Sequence, residues 1–192
     1  MEERCTGCGA ELSHYDGVFL TEKGETRFLC SKCYNEQISE SWGVNFEHIS
    51  FHPISLTDLN GEDHTFYFRT FFLGHHVTIT ALEIKDGEPE GYEFSQYGHA
   101  EEDLFELFAK LVDRLKHELG RKHIEPNNLL PYQITDQNTV RGRITWDDET
   151  DGETPCLVID GKALSWHEFG RMLMTYEGFH FKLEIFEGFE QR

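Results

Sequence analysis

Four of the five cysteines fall into two C-x-x-C pairs, Cys5/Cys8 and Cys30/Cys33, with 21 residues between the pairs. Four thiolates at this spacing supply a complete tetrahedral shell for one zinc ion, and this is the tightest constraint on what the chain can fold into. Each pair predicts a tight knuckle in which two sulfurs converge, and Gly7 and Gly9 at the first pair tolerate the turn and let backbone N–H groups approach the sulfurs. A redox dithiol or an iron–sulfur site are the competing readings. The redox reading is the weaker fit, because residues 5–8 precede a hairpin, whereas a thioredoxin-like pair opens a helix in a βαβ unit. A shell closed by four sulfurs has no position for water, so the expected zinc is structural and does no Lewis-acid chemistry.

Between the pairs, Val18-Phe19-Leu20 and Arg27-Phe28-Leu29 flank Glu22-Lys23-Gly24-Glu25 and read as a short hairpin. The second pair opens a predicted helix over Lys32–Trp42, with Tyr34, Ile38 and Trp42 on one side. Knuckle, hairpin, then knuckle at a helix start is the order of a treble clef. In the four cysteines and this element order, residues 1–43 resemble the N-terminal zinc-binding domain of the Clp-type unfoldase ATPases, whose modules dimerise and capture adaptors and substrates. The resemblance implies a protein-binding module and no motor, since no G-x-x-x-x-G-K-[ST] follows. The strings at 140–148 and 165–187 resemble those of bacterial proteins of unassigned activity that begin with the same kind of finger.

After Trp42-Gly43 the text changes, and a boundary there divides the chain into a finger, residues 1–43, and a single domain, residues 44–192. In the second part, Ile49–Leu59 and Thr65–Phe72 flank Asn60-Gly61, predicting a hairpin with a type I′ turn. Val77–Ile84 and Tyr92–Tyr97 continue an antiparallel meander, and Phe66, Phe68, Phe71 and Phe72 are candidate core. Leu104, Leu107, Phe108, Leu111, Leu115 and Leu119 recur at helical spacing and predict a helix over 101–119, with Glu101, Glu102 and Asp103 in its first turn. Beyond a loop marked by Pro126 and Pro131, alternation predicts strands over Val140–Trp146, Cys156–Ile159 and Phe179–Ile185. A capping box at Ser165/Glu168 starts a helix expected to reach Tyr176 and to stop at Gly178. The fold class is α+β: a small N-terminal treble-clef finger followed by an antiparallel sheet with two helices.

The net charge of −19, from 17 Lys+Arg against 36 Asp+Glu, disfavours nucleic acid and anionic membranes, because phosphate binding rests on Lys and Arg. Residues 1–43 alone hold four Lys/Arg and eight Asp/Glu, which argues against a nucleic-acid-reading finger. No apolar run approaches the ~20 residues of a membrane span, and Met1–Cys5 does not read as a signal peptide. Free thiols in C-x-x-C pairs fit a reducing compartment, so the expected location is cytoplasmic.

No H-E-x-x-H and no compact histidine–carboxylate triad is visible among the 11 histidines, and His75-His76 adjoins a strand whose neighbours point to opposite faces. Asp147, Asp148, Glu149 and Asp151 lack the spacing of a calcium loop and read as a solvated turn. Cys156 reads as a small buried hydrophobe rather than a nucleophile. The leading expectation is a zinc-binding, non-enzymatic interaction or adaptor protein whose partner is a protein with a basic surface, with homodimerisation left open. Tyr34, Ile38 and Trp42 are the candidate partner face. The alternatives are a hydrolase with a site assembled from Arg141, Arg143, Asp147 and His167, and an acidic mimic of nucleic acid.

Overall fold

The computed structural model describes residues 4–12, 15–22, 24–147, 150 and 152–187. The chain is α+β, with three helices and several antiparallel sheets. It opens with a hairpin, β1 (Gly17–Glu22) and β2 (Glu25–Cys30), in which Val18 faces Leu29 and Leu20 faces Arg27. The helix α1 (Ser31–Trp42) follows without a linker, because Cys30 is at once the last residue of β2 and the helix N-cap. Gly43, in the left-handed region at φ 64°, ends it.

The central sheet is a meander in the order β3-β4-β5-β6, formed by β3 (Ile54–Thr57), β4 (Asp63–Leu73), β5 (His76–Lys85) and β6 (Glu88–His99). Across one face lies α2 (Leu104–Leu119), whose leucine stripe packs on Phe66, Val77, Ile79 and Ala81 to make the largest core. Phe51 stacks on Phe108 at 4.1 Å and closes one side of that core. Asp103 is the cap of α2, accepting from the Phe105 N–H at 2.8 Å, so the predicted acidic first turn precedes the helix instead. Of the four candidate core phenylalanines, Phe66 and Phe72 are fully buried and Phe68 and Phe71 half-buried.

The hairpin between β3 and β4 forms, but not through a two-residue turn at Asn60-Gly61. Residues 58–62 make a longer loop in which only Gly61 takes a positive φ, 82°. The Asp58 carboxylate competes for the backbone there, taking the N–H groups of Asn60 and Glu62 at 2.8 Å each. Paired positive φ angles fall instead at Asp86-Gly87, between β5 and β6, and at Asp160-Gly161.

The remaining chain packs around Ile124, Ile159, Leu164 and Met172. Here β7 (Ile124–Pro126) and β8 (Tyr132–Ile134) form a small hairpin in the stretch predicted to be loop. A three-stranded sheet in the order β11-β10-β9 is built from β9 (Arg143–Thr145), β10 (Cys156–Ile159) and β11 (Lys162–Ser165). The predicted capping box is present at the start of α3 (Trp166–Leu173), and a short 3-10 turn carries the chain on to Tyr176.

Two predicted strands are corrected. Val140–Trp146 shrinks to three residues at a sheet edge, with Ile144 and Trp146 exposed. Phe179–Ile185 forms no strand at all. Alternation makes a segment suited to a sheet, but a strand exists only where a neighbour offers its hydrogen bonds.

The finger docks on the sheet through a polar side chain. β3 pairs with β4 only as far as Phe66, which leaves the outer edge of residues 67–73 without a neighbouring strand. The buried Asn35 side chain covers this edge: Nδ2 donates to the Thr70 carbonyl at 2.7 Å, and Oδ1 accepts from the Phe72 N–H at 2.8 Å. The buried face of α1 is thus Ser31, Asn35 and Ser39, and the apolar side offered as a partner face is a different one. Tyr34 packs edge-on against Phe71 and Trp42 against His75, so these residues are partly used within the molecule. Asn35→Ala leaves a buried donor and a buried acceptor unpaired at about 1–3 kcal/mol each. Denaturant unfolding should show a loss of at least about 2 kcal/mol; a loss below about 0.5 kcal/mol would show that the amide does not hold the finger to the sheet.

Candidate metal centre

Three local devices bring the four sulfurs together. The turn at residues 5–8 is closed by Gly9 N–H donating to the Cys5 carbonyl at 2.9 Å, with Gly9 at φ 75°. A Cβ on Gly7 would lie 3.1 Å from Cys33 Sγ, so glycine lets the first knuckle approach the second. At the second pair, Cys30 Sγ caps α1 by accepting from the Cys33 N–H at 3.4 Å.

The four ligand atoms of Cys5, Cys8, Cys30 and Cys33 lie within 4.8 Å of one another. Two zinc–sulfur bonds of ~2.3 Å at a tetrahedral angle hold their sulfurs ~3.8 Å apart. Cys8 Sγ and Cys30 Sγ are 3.9 Å apart, as common ligation requires, and all four thiols are free of disulfides. The cluster is therefore compatible with one bound metal ion. Cys5 and Cys30 are buried, and Leu12, Leu20, Leu29 and Tyr34 pack around them.

The thiols do not share one proton affinity. Burial opposes ionisation of Cys5, but N–H groups of Cys30, Cys8 and Gly7 outweigh it and bring the pKa down to about 6. Burial pushes Cys33 and Cys30 up; the neighbouring thiols push Cys33 further, whereas at Cys30 the Cys33 N–H and thiol pull down and Cys5 pushes up. A metal-free cluster of this kind keeps one thiolate far more readily than several, because like charges at these distances repel. A divalent cation removes that conflict, so metal binding goes with loss of the remaining protons.

Among the described residues, the other predicted site residues form no metal-type cluster. Arg143 pairs with Glu93 of β6 at 3.0 Å, while Arg141 is exposed and His167 is exposed at the start of α3. Asp147 is half-buried, and Asp148, Glu149 and Asp151 lie outside the described residues. His75 rests against Trp42, and His76 against His99. Cys156 is half-buried in β10, and burial together with Asp147 pushes its thiol up, which disfavours a nucleophilic thiolate.

One cluster escaped the sequence. Asp58, Glu62 and His64 bring ligand atoms within 4.8 Å of one another, which corrects the expectation that no compact histidine–carboxylate triad exists. His64 lies in β4, and its Nδ1 is 2.7 Å from Oε1 of Glu83 in β5. The partnership follows from the register that sets Phe66 opposite Glu83, which no local spacing announces.

Cobalt exchanged into the cysteine cluster should give the intense near-ultraviolet thiolate charge-transfer bands and visible bands of a tetrahedral four-sulfur site. Cys8→Ser should weaken and shift them. Absence of thiolate bands in the wild-type chain would rule the cluster out as a metal site.

Three family models match successive stretches, each described as a domain of unknown function: DUF7685 over residues 4–45, DUF7686 over 47–120 and DUF7713 over 123–190. No curated protein and no solved structure matches the chain. The cysteine cluster lies in the first match and the Asp58, Glu62 and His64 cluster in the second. Segment by segment, the chain is similar to three domains of unknown function, and none of them links the finger to unfoldase ATPases.

Proposed function

We propose that this is a zinc-binding, non-enzymatic interaction or adaptor protein, in which Cys5, Cys8, Cys30 and Cys33 hold one structural zinc in a treble-clef finger. Four thiolates select a soft or borderline metal, and a closed four-sulfur shell leaves no position for substrate. Four free thiols of this kind suit a reducing compartment, which supports a cytoplasmic location. No helix among the described residues is long and apolar enough to cross a membrane.

The observation that carries the interaction reading is the apolar series after α3. Phe181 is 90% exposed, Leu183 72% and Ile185 74%, at every second position of a segment that forms no strand within the chain. Exposed apolar runs of this kind mark contact sites, and period-two alternation is what a segment needs to join the edge of another sheet. The partner is a polypeptide with a free strand edge, and the net charge of −19 favours one with a basic surface. A second copy of the chain would satisfy the same geometry.

Replacing Phe181, Leu183 and Ile185 together by serine tests this reading, since exposed positions tolerate the change without loss of fold. The wild-type chain at natural expression should retain a stoichiometric polypeptide partner, or self-associate in sedimentation. The triple variant should lose it while keeping its metal and its thermal midpoint. Recovery of no partner with a monomeric wild-type chain, or equal capture by the variant, would contradict the proposal.

A further inference from the structure

The His64 side chain is 2% exposed, and its two ring nitrogens have opposite surroundings. Nδ1 faces Oε1 of Glu83, itself 2% exposed, whose Oε2 accepts from the Tyr92 N–H at 2.9 Å and whose Oε1 lies 3.1 Å from Lys85 Nζ. A carboxylate held this firmly takes the Nδ1 proton as a donated hydrogen bond and turns Nε2 the other way. Nε2 is buried and has no hydrogen-bond partner among the described residues. Its nearest charged neighbour is Asp58 Oδ2 at 3.9 Å, beyond hydrogen-bond reach. A polar atom left so in a protein interior costs about 1–3 kcal/mol.

The chain commits structure to this arrangement. Glu83 sits where the β5–β6 register slips between Leu82 and Ile84. A Cβ on Gly91 would lie 2.1 Å from Glu83 Oε2, so glycine there, at φ 94°, makes the room for the carboxylate. On the other side, the Asp58 carboxylate is fixed by the N–H groups of Asn60 and Glu62 and by the Asn60 side chain at 2.9 Å from Oδ2. Glu62, at the exposed rim, has Lys162 Nζ at 3.5 Å from its Oε1 as its ion-pair partner among the described residues, a solvent-facing pair that holds it weakly.

We propose that His64 Nε2, Asp58 and Glu62 bind one divalent first-row transition-metal ion, with Glu83 as the outer carboxylate that orients the imidazole. Bonds of ~2.0–2.2 Å to nitrogen and oxygen place two donors of one ion ~3–4 Å apart, which is the range of the 3.9 Å separation between Nε2 and Asp58 Oδ2. The carboxylate–histidine pair is the usual outer support of a metal-bound imidazole. One nitrogen and two carboxylates suit manganese, iron, cobalt or zinc, and the imidazole disfavours calcium and magnesium. Three protein donors leave the ion open on the Glu62 side, so the site differs in kind from the closed sulfur cluster.

Manganese is the probe that separates the two sites, because it competes poorly for thiolates. Full-length chain carrying zinc at the cysteines is titrated with Mn2+, and free Mn2+ is read by electron paramagnetic resonance. One equivalent should bind. Glu62→Gln and Asp58→Asn should each weaken binding by more than the ~10–100-fold that loss of an outer carboxylate causes, and Glu83→Gln should fall within that range. Cobalt thiolate bands and circular dichroism verify that each variant keeps its finger and fold, and Glu62→Gln, at an exposed position, is the variant least able to disturb them. Failure of the zinc-loaded chain to bind one equivalent of Mn2+ or one further equivalent of zinc, or undiminished binding by a folded Glu62→Gln, Asp58→Asn double variant, would overturn the site.

Discussion

Convergence of four sulfurs at one point is the constraint on which the N-terminal segment, residues 1–43, depends. The hairpin of β1 and β2 is short, and Cys30 couples it to α1 by ending the strand and capping the helix with the same residue. Without a cation, burial holds Cys30 and Cys33 in their protonated form while backbone N–H groups favour the thiolate at Cys5, and the cluster's apolar packing rests on Leu12, Leu20, Leu29 and Tyr34. A divalent ion turns the same crowding into cohesion. A metal bound there would supply the stability that so small a core lacks.

That local order extends to the rest of the chain through α1. Once the helix is set by Cys30 and Cys33, Asn35 reaches the outer edge of β4 and pairs the Thr70 carbonyl and the Phe72 N–H. An uncovered strand edge is a template for unwanted pairing, and a side-chain amide that satisfies one N–H and one carbonyl blunts it. β4 also carries His64, so the strand that receives the finger at one end holds the histidine–glutamate pair at the other. The two clusters are built on different physics. One is four thiols with leucines packed around them; the other is an imidazole and two carboxyl groups, braced by a buried carboxylate.

Features set by neighbours in sequence were legible. The C-x-x-C pairs, the leucine stripe of α2, the Ser165/Glu168 capping box and the meander of β3 to β6 each depend on local spacing, and each is present. Features set by tertiary contact were not. Nothing in the spacing of Ser31, Asn35 and Ser39 says that a polar face will be the buried one, because its partner is a strand edge more than 30 residues away. The Asp58, Glu62 and His64 cluster looks like turn residues until β5 places Glu83 behind the imidazole. Phe179–Ile185 failed in the opposite sense, since its pattern is that of a strand while it pairs with no strand among the described residues.

X-ray absorption at the zinc edge, on full-length chain loaded with one equivalent of zinc, addresses the central claim directly. The account predicts a shell of four sulfurs at about 2.3 Å and no nitrogen or oxygen in it. A shell of nitrogen and oxygen, or purified chain that retains no zinc with its thiols reduced, would contradict it.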